Sequence, residues 1–175
     1  MYHPPSIPHL GQNYSLAHLA SHFDQFDWLD REKISHRYRV KVRYSAHCYS
    51  EELDLPLPAG SYQVPDKRVR IFCPIRHAHS LRLPALISGL FRKPSTSIAM
   101  TREHNWTIYA LNSNPPLAPG QRYSVFFRIK KRPPIGFESA HPLEIFVESA
   151  YAREERVHIR ENSPFGKIAE RVSRK

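Results

Sequence analysis

The sequence predicts an α+β fold: a mainly antiparallel sheet of about five strands, with an N-terminal helix, one internal helix and a C-terminal helix. Three observations predict it. Two segments alternate inward and outward residues with a period of two, which marks half-buried strands. Strand candidates follow one another through turns rather than regular crossover helices. Helix signals stand near both ends of the chain. The 175 residues suffice for one domain with its own core. The expected division is an irregular N-terminal arm over 1–13 and a single globular domain over 14–175.

The arm carries Pro4, Pro5, Pro8 and Gly11 among polar residues, a composition of breakers. Ser15 reads as an N-cap, and Leu16, Leu19, Phe23 and Phe26 follow helical spacing, so a helix is expected near 15–33. Tyr38, Val40, Val42 and Tyr44 then alternate with Arg37, Arg39, Lys41 and Arg43, giving a strand with one basic face. Pro56, Pro58, Gly60 and Pro65 make 53–68 a loop. Val69, Ile71 and Cys73 alternate with Arg68 and Arg70 as a second strand, and Leu81–Phe91 reads as a short helix with Pro84 in its first turn. Residues 98–100 and 106–111 read as strand. Asn112 to Pro116 and Pro119-Gly120 form the turns before the next one. There Tyr123, Val125, Phe127 and Ile129 alternate with Ser124, Phe126, Arg128 and Lys130. Leu143, Ile145 and Val147 make the last strand, and Ser163-Pro164 opens a helix over 164–173 as N-cap and N1.

Charge is distributed unevenly. The chain holds 26 Lys/Arg, 16 Asp/Glu and 11 His, a net of +10. Residues 61–132 alone hold 13 Lys/Arg against Asp66 and Glu103, while the flanking segments nearly balance. A concentrated positive field serves to meet a polyanion. Nucleic acid is the first candidate, with RNA favoured, and an acidic protein partner the second. No membrane partner is expected, because there is no apolar run of about 18 residues and no amphipathic helix with a clean basic face. Met1 to Pro5 does not read as a secretory signal, and Cys48 and Cys73 do not make a disulfide framework. The expectation is a soluble cytoplasmic protein. No cofactor is expected either. The six glycines form neither G-x-G-x-x-G nor G-x-x-x-x-G-K, which argues against ATP, NAD and flavin.

Three clusters could carry chemistry. In Arg76-His77-Ala78-His79, an extended backbone would place His77 and His79 on one face, about 7 Å apart. Two imidazoles so placed can serve as general acid and base for a ribonuclease that uses the 2′-hydroxyl, with Arg76 or Arg82 stabilising the phosphorane. Two surface histidines are the plainer alternative. His47, Cys48, Cys73 and His77 include the residue types of a tetrahedral zinc site, but the Cys–Cys spacing lacks any knuckle. Small buried side chains are the simpler reading. In the third cluster Arg128, Lys130, Lys131 and Arg132 end one strand, and Glu148, Tyr151, Arg153 and Arg156 follow the next. With Arg68 and Arg70 they form a candidate nucleic-acid surface, on which Tyr151 could stack a base. A solvated strand face with a core tyrosine is the alternative.

Residues 121–156 resemble the closing strands of the RelE/HigB-type toxin superfamily. The resemblance rests on Tyr123-Ser124-Val125-Phe126-Phe127-Arg128-Ile129, Leu143-Glu144-Ile145-Phe146-Val147 and Ala150-Tyr151-Ala152-Arg153, about a fifth of the chain. Those proteins are small basic α+β ribonucleases that cut messenger RNA, usually on the ribosome. The resemblance implies phosphate and base contacts for Arg128, Tyr151 and Arg153. This chain is longer, and a strand pair carrying His47, Cys48 and Cys73 precedes the similar part. The leading expectation is a basic RNA-binding protein, with metal-independent ribonuclease activity through His77, His79 and Tyr151. The alternative is a non-catalytic inhibitor or adaptor, of the kind mobile elements encode, that binds an acidic protein or nucleoprotein.

Overall fold

A computed structural model describes residues 4–53, 56, 58–64, 69–111, 115–134, 140–154 and 156–174. It contains β1 (Ser6–His9), β2 (Gln12–Ser15), β3 (His22–Leu29), β4 (Ser35–Tyr44), β5 (Ser50–Glu52) and β6 (Gln63–Val64). Then come β7 (Arg70–Phe72), α1 (Pro74–Ser80), α2 (Leu83–Arg92), β8 (Ser97–Thr101) and β9 (Trp106–Ala110). The chain ends with β10 (Arg122–Lys131), β11 (His141–Arg153), β12 (Ile159–Pro164) and α3 (Phe165–Ser173).

The fold is mostly β, not the expected α+β. Strand takes 47% of the described residues and helix 21%. Seven strands in the order β12-β8-β9-β10-β11-β4-β3 form one sheet that curls into a half-barrel. Neighbours are antiparallel except β11 and β4, which run parallel. Smaller sheets, β5-β7-β6 and β1-β2, accompany it.

The largest correction concerns residues 15–33. A single 3-10 turn at Ala17–Leu19 precedes β3, which occupies the stretch expected to be helix. Phe23 and Phe26 fit a helical period, but they also lie an odd number of residues apart and so face opposite sides of a strand. Eight register pairs with β4 decide the outcome, from His22 opposite Val42 to Leu29 opposite Ser35. The Asp30 carboxylate accepts from the Ile34 amide at 2.8 Å, and Lys33 adopts φ +62°, which closes the hairpin. Cross-strand pairing outweighs a weak local helical preference. The second correction is α1, where an extended segment was expected. Pro74 takes the first helical position and the His77 amide donates to the Cys73 carbonyl at 2.9 Å. His77 and His79 are therefore two helical positions apart and point in different directions. The expected arm contains the β1–β2 hairpin, with Ile7 fully buried.

The strands at β4, β7, β8, β9, β10 and β11 and the helices at α2 and α3 form where the sequence placed them. β12 was missed. α3 starts at Phe165, with Pro164 rather than Ser163 at its cap. One face of the main sheet makes the core: Tyr38, Val40, Val42, Leu143, Ile145, Val147, Val125 and Phe127 pack with Leu83, Ile87 and Leu90 of α2 and Phe165 and Ile168 of α3. Each such apolar side chain contributes about 1.5–3 kcal/mol on burial. The helices pack on that face, so among the described residues no helix covers the other, here called the open face, although Thr107, Ser124, Phe126 and Glu144 on it are buried among their neighbours.

Candidate nucleic-acid interface

The register of the main sheet sets out the open face in rows. Phe23, Lys41, Glu144 and Lys130 run across β3, β4, β11 and β10. Beside them, on one side, lie Gln25, Arg39 and Pro142, with Arg132 just past the end of β10. On the other side are Arg43, Phe146 and Arg128, then Ser149, Phe126 and Thr107, then Tyr151, Ser124 and Tyr109, and finally Arg153 and Arg122. With Arg37 opposite Asp27, nine Arg/Lys among the described residues stand against Asp27, Glu144 and Glu148.

Carboxylates hold part of this charge. Arg37 binds Asp27 at 2.9 Å, and Glu144 accepts from Lys130 at 3.1 Å and Arg43 at 3.5 Å. Arg128 donates to Glu148 at 2.8 Å and to Asn105 at 3.1 Å. Cations also lie over rings. Arg39 sits 4.7 Å, Arg132 5.3 Å and Lys41 5.9 Å from the Phe23 ring, Arg43 5.7 Å from Phe146, and Arg76 5.2 Å from Tyr151. Such contacts are worth about 0.5–1 kcal/mol each at exposed sites, little enough for a stacked base to compete with them.

A pocket of about 340 Å³ opens at one corner of this face, lined by Glu103, Asn105, Phe126, Ser149, Tyr151, Arg153, Arg156, Val157 and His158. Phe126 and Tyr151 stack with centroids 5.7 Å apart. A wider groove of about 720 Å³ lies between β3, β12 and α3. Its Arg171 and Arg174 are bound to Glu161 and Glu170, which leaves it without the cationic excess of the open face.

The structure divides the residues singled out from sequence. Arg128, Lys130, Arg132, Tyr151 and Arg153 share the open face. Lys131 lies opposite Leu143, so it points to the other side of the sheet. Arg70 is buried and donates to the Ser50 hydroxyl and carbonyl at 2.9 and 2.8 Å, which makes it a clamp between β5 and β7 rather than a surface cation. Arg76 also donates to the Ser50 carbonyl, at 2.8 Å, while reaching the Tyr151 ring. Arg82 lies at the α1–α2 junction, in the helical layer. Arg68 lies outside the described residues.

His77 and His79 do not join Tyr151. The His77 ring bonds the Ser15 carbonyl at 2.8 Å and packs against Tyr14, His18 and Phe72. His79 is buried 5.6 Å from the Tyr123 ring, and burial lowers its pKa. Next to them His18 and the Ser80 hydroxyl are 2.8 Å apart. That hydroxyl donates to the His77 carbonyl at 2.7 Å, so His18 Nε2 is the donor in the other bond, and the pair is structural rather than a nucleophile with its base. The zinc alternative is not assembled. Cys48 lies in a 3-10 turn with Sγ 3.9 Å from the Val147 carbonyl, and burial pushes its thiol up to about 12. Among the described residues no group of three or more His, Cys, Asp or Glu could hold a metal ion.

Sequence reasoning left Phe23, Phe126, Phe146, Glu103 and His158 out of the site, while Arg156 stood in its third cluster. For Phe126 the signal was present, since it alternates in step with Arg128 and so shares its face. Glu103 and His158 carry no local signal.

No helix among the described residues is long and apolar enough to cross a membrane. No significant match is found among curated proteins or among solved structures. The YjaZ family model matches residues 6–173, and the chain belongs to the YjaZ family.

Proposed function

We propose that this protein binds single-stranded RNA on the open face of its main sheet. The observation that carries the reading is the pattern of that face: Phe23, Phe146 and Tyr151 spaced among nine Arg/Lys. A single strand can lay its bases on such rings and its phosphates on the flanking cations. A duplex keeps its base faces stacked and would use only the charge. Arg128, Tyr151 and Arg153, for which the resemblance implied phosphate and base contacts, all lie on this face. A cytoplasmic location, where RNA is at hand, belongs to the proposal.

The test is fluorescence anisotropy with a labelled RNA carrying 2′-deoxy substitutions, so that cleavage cannot interfere, titrated at several salt concentrations. Binding should weaken as salt rises, with a log–log slope of roughly 0.7 per phosphate contacted. Phe146→Ala should lower affinity about 5–150-fold, the range of about 1–3 kcal/mol per stacked base, at an unchanged salt slope. Absence of binding at low salt, or a flat salt response, would overturn the reading. A stoichiometric complex with an acidic protein and no RNA binding would replace it with the adaptor alternative.

A further inference from the structure

The corner pocket gathers, from three separate segments, the groups needed to cleave RNA without a metal. Glu103 comes from the β8–β9 turn. That turn is held by the Thr101 amide donating to the Asn105 carbonyl at 2.8 Å and the His104 amide donating to Thr101 at 3.2 Å. The Glu103 carboxylate accepts from its own backbone amide and from the Thr101 hydroxyl, and both bonds hold it ionised. His158 arrives from the other side. β12 pairs with β8 so that Ile159 lies opposite Thr101, which brings the preceding residue beside the turn, close enough for its charge to act on Glu103. Arg153 and Arg156 line the same space, and Tyr151 forms a wall next to Phe126. Arg102 is the further cation that acts on Glu103.

We propose that this pocket is a ribonuclease site, with Glu103 as general base and His158 as general acid. The proposal rests on the RNA-binding reading above and adds a reaction to it. Glu103 takes the proton of a ribose 2′-hydroxyl, and the 2′-oxygen attacks the adjacent phosphorus. Arg153 and Arg156 neutralise the charge on the phosphorane oxygens. The bond from phosphorus to the 5′-oxygen breaks, and protonated His158 gives its proton to that oxygen. The products are a 2′,3′-cyclic phosphate and a 5′-hydroxyl. No oxidant, metal or second substrate enters the balance. Tyr151 stacks the base on the 5′ side of the cut.

The experiment incubates the full chain with a DNA oligomer that contains one ribonucleotide, with EDTA present, and resolves the products on a denaturing gel. The expected result is one cut, 3′ to the ribonucleotide, ending in a cyclic phosphate, and no cut when that residue is deoxy. Glu103→Gln and His158→Gln should each slow cleavage roughly 10²–10⁴-fold, while affinity for the deoxy oligomer stays within about threefold. Both positions are exposed, so the variants should fold, which the retained affinity reports. Binding without cleavage overturns the site and leaves the RNA-binding reading standing. Loss of binding by the unaltered protein overturns both. Cleavage that survives both substitutions, or that is lost on His77→Ala instead, shows that the chemistry lies elsewhere.

Discussion

Gly166 joins the two ends of the main sheet through one aromatic ring. It follows β12, and the Trp28 indole of β3 lies directly on it, where a Cβ would fall inside the ring. In a helix interior, Gly→Ala ordinarily stabilises by up to about 1 kcal/mol. Here the sign should reverse. Gly166→Ala is expected to destabilise by about 2 kcal/mol, the range of an overpacked core, read as a lower urea midpoint at unchanged slope. His79 makes a second prediction at this scale. Burial holds its folded pKa below the ordinary histidine value of 6.5. The folded state keeps the neutral ring, whereas the unfolded chain takes up a proton near pH 6.5. Its contribution is therefore complete above that pH and is lost as pH falls. His141 acts in the same direction, through desolvation and then the neighbouring charges of His36 and Lys131. Asp27 and Asp30, lowered by Arg37 and His36, weaken the fold only in the window below 3.8. The urea midpoint should drop between pH 7 and pH 5, and His79→Leu should flatten that drop. An unchanged midpoint over that range would contradict the assignment.

The strands differ in how much their own residues reveal. β4 and β10 were legible because each alternates strictly, so the period alone identifies both the strand and its faces. The basic face of β4 was visible in the same way. β3 was not, because Leu16, Leu19, Phe23 and Phe26 satisfy a helical period and only pairing with β4 resolves the choice. α1 had a usable signal in Pro74, yet the preceding alternation suggested that the strand ran on. Half of the candidate surface could be read from sequence, since the cations of one strand share a face. The pocket could not, because β8–β12 pairing is what brings Glu103 and His158 together. The same element logic predicts unequal roles along β4. Lys41 lies over Phe23, whereas Arg37 is bound to Asp27. A ligand phosphate must compete with a carboxylate for Arg37. Lys41→Ala should lower the salt slope of RNA binding by about 0.7. Arg37→Ala should lower it less. Equal losses would mean that the carboxylate does not hold its partner in solution.

At the scale of the molecule, the open face has a fixed extent, and that extent sets the length of RNA it can hold. From Phe23 on β3 to Tyr109 on β9 the sheet crosses four strand gaps, about 19 Å at ~4.8 Å each. The pocket with Arg153 and Arg156 lies toward one corner of that span, so a strand that threads from Phe23 to the pocket crosses the face obliquely. The helices on the opposite face leave no second surface of the same character among the described residues. Affinity should therefore rise with oligomer length until the chain reaches from Phe23 to Arg156 and then stop rising, within the roughly 4–16 nucleotides usual for one single-strand module. Titrations of a series of oligomers, analysed for occluded length, measure this directly. The same series locates the chemistry. If the pocket cuts, products should accumulate at a constant distance from the end of the shortest tightly bound oligomer, because the aromatic rows fix the strand's register relative to Glu103 and His158. Affinity that keeps climbing with length, with cuts at random positions, would mean that charge alone attracts the RNA and that the rings do not seat its bases.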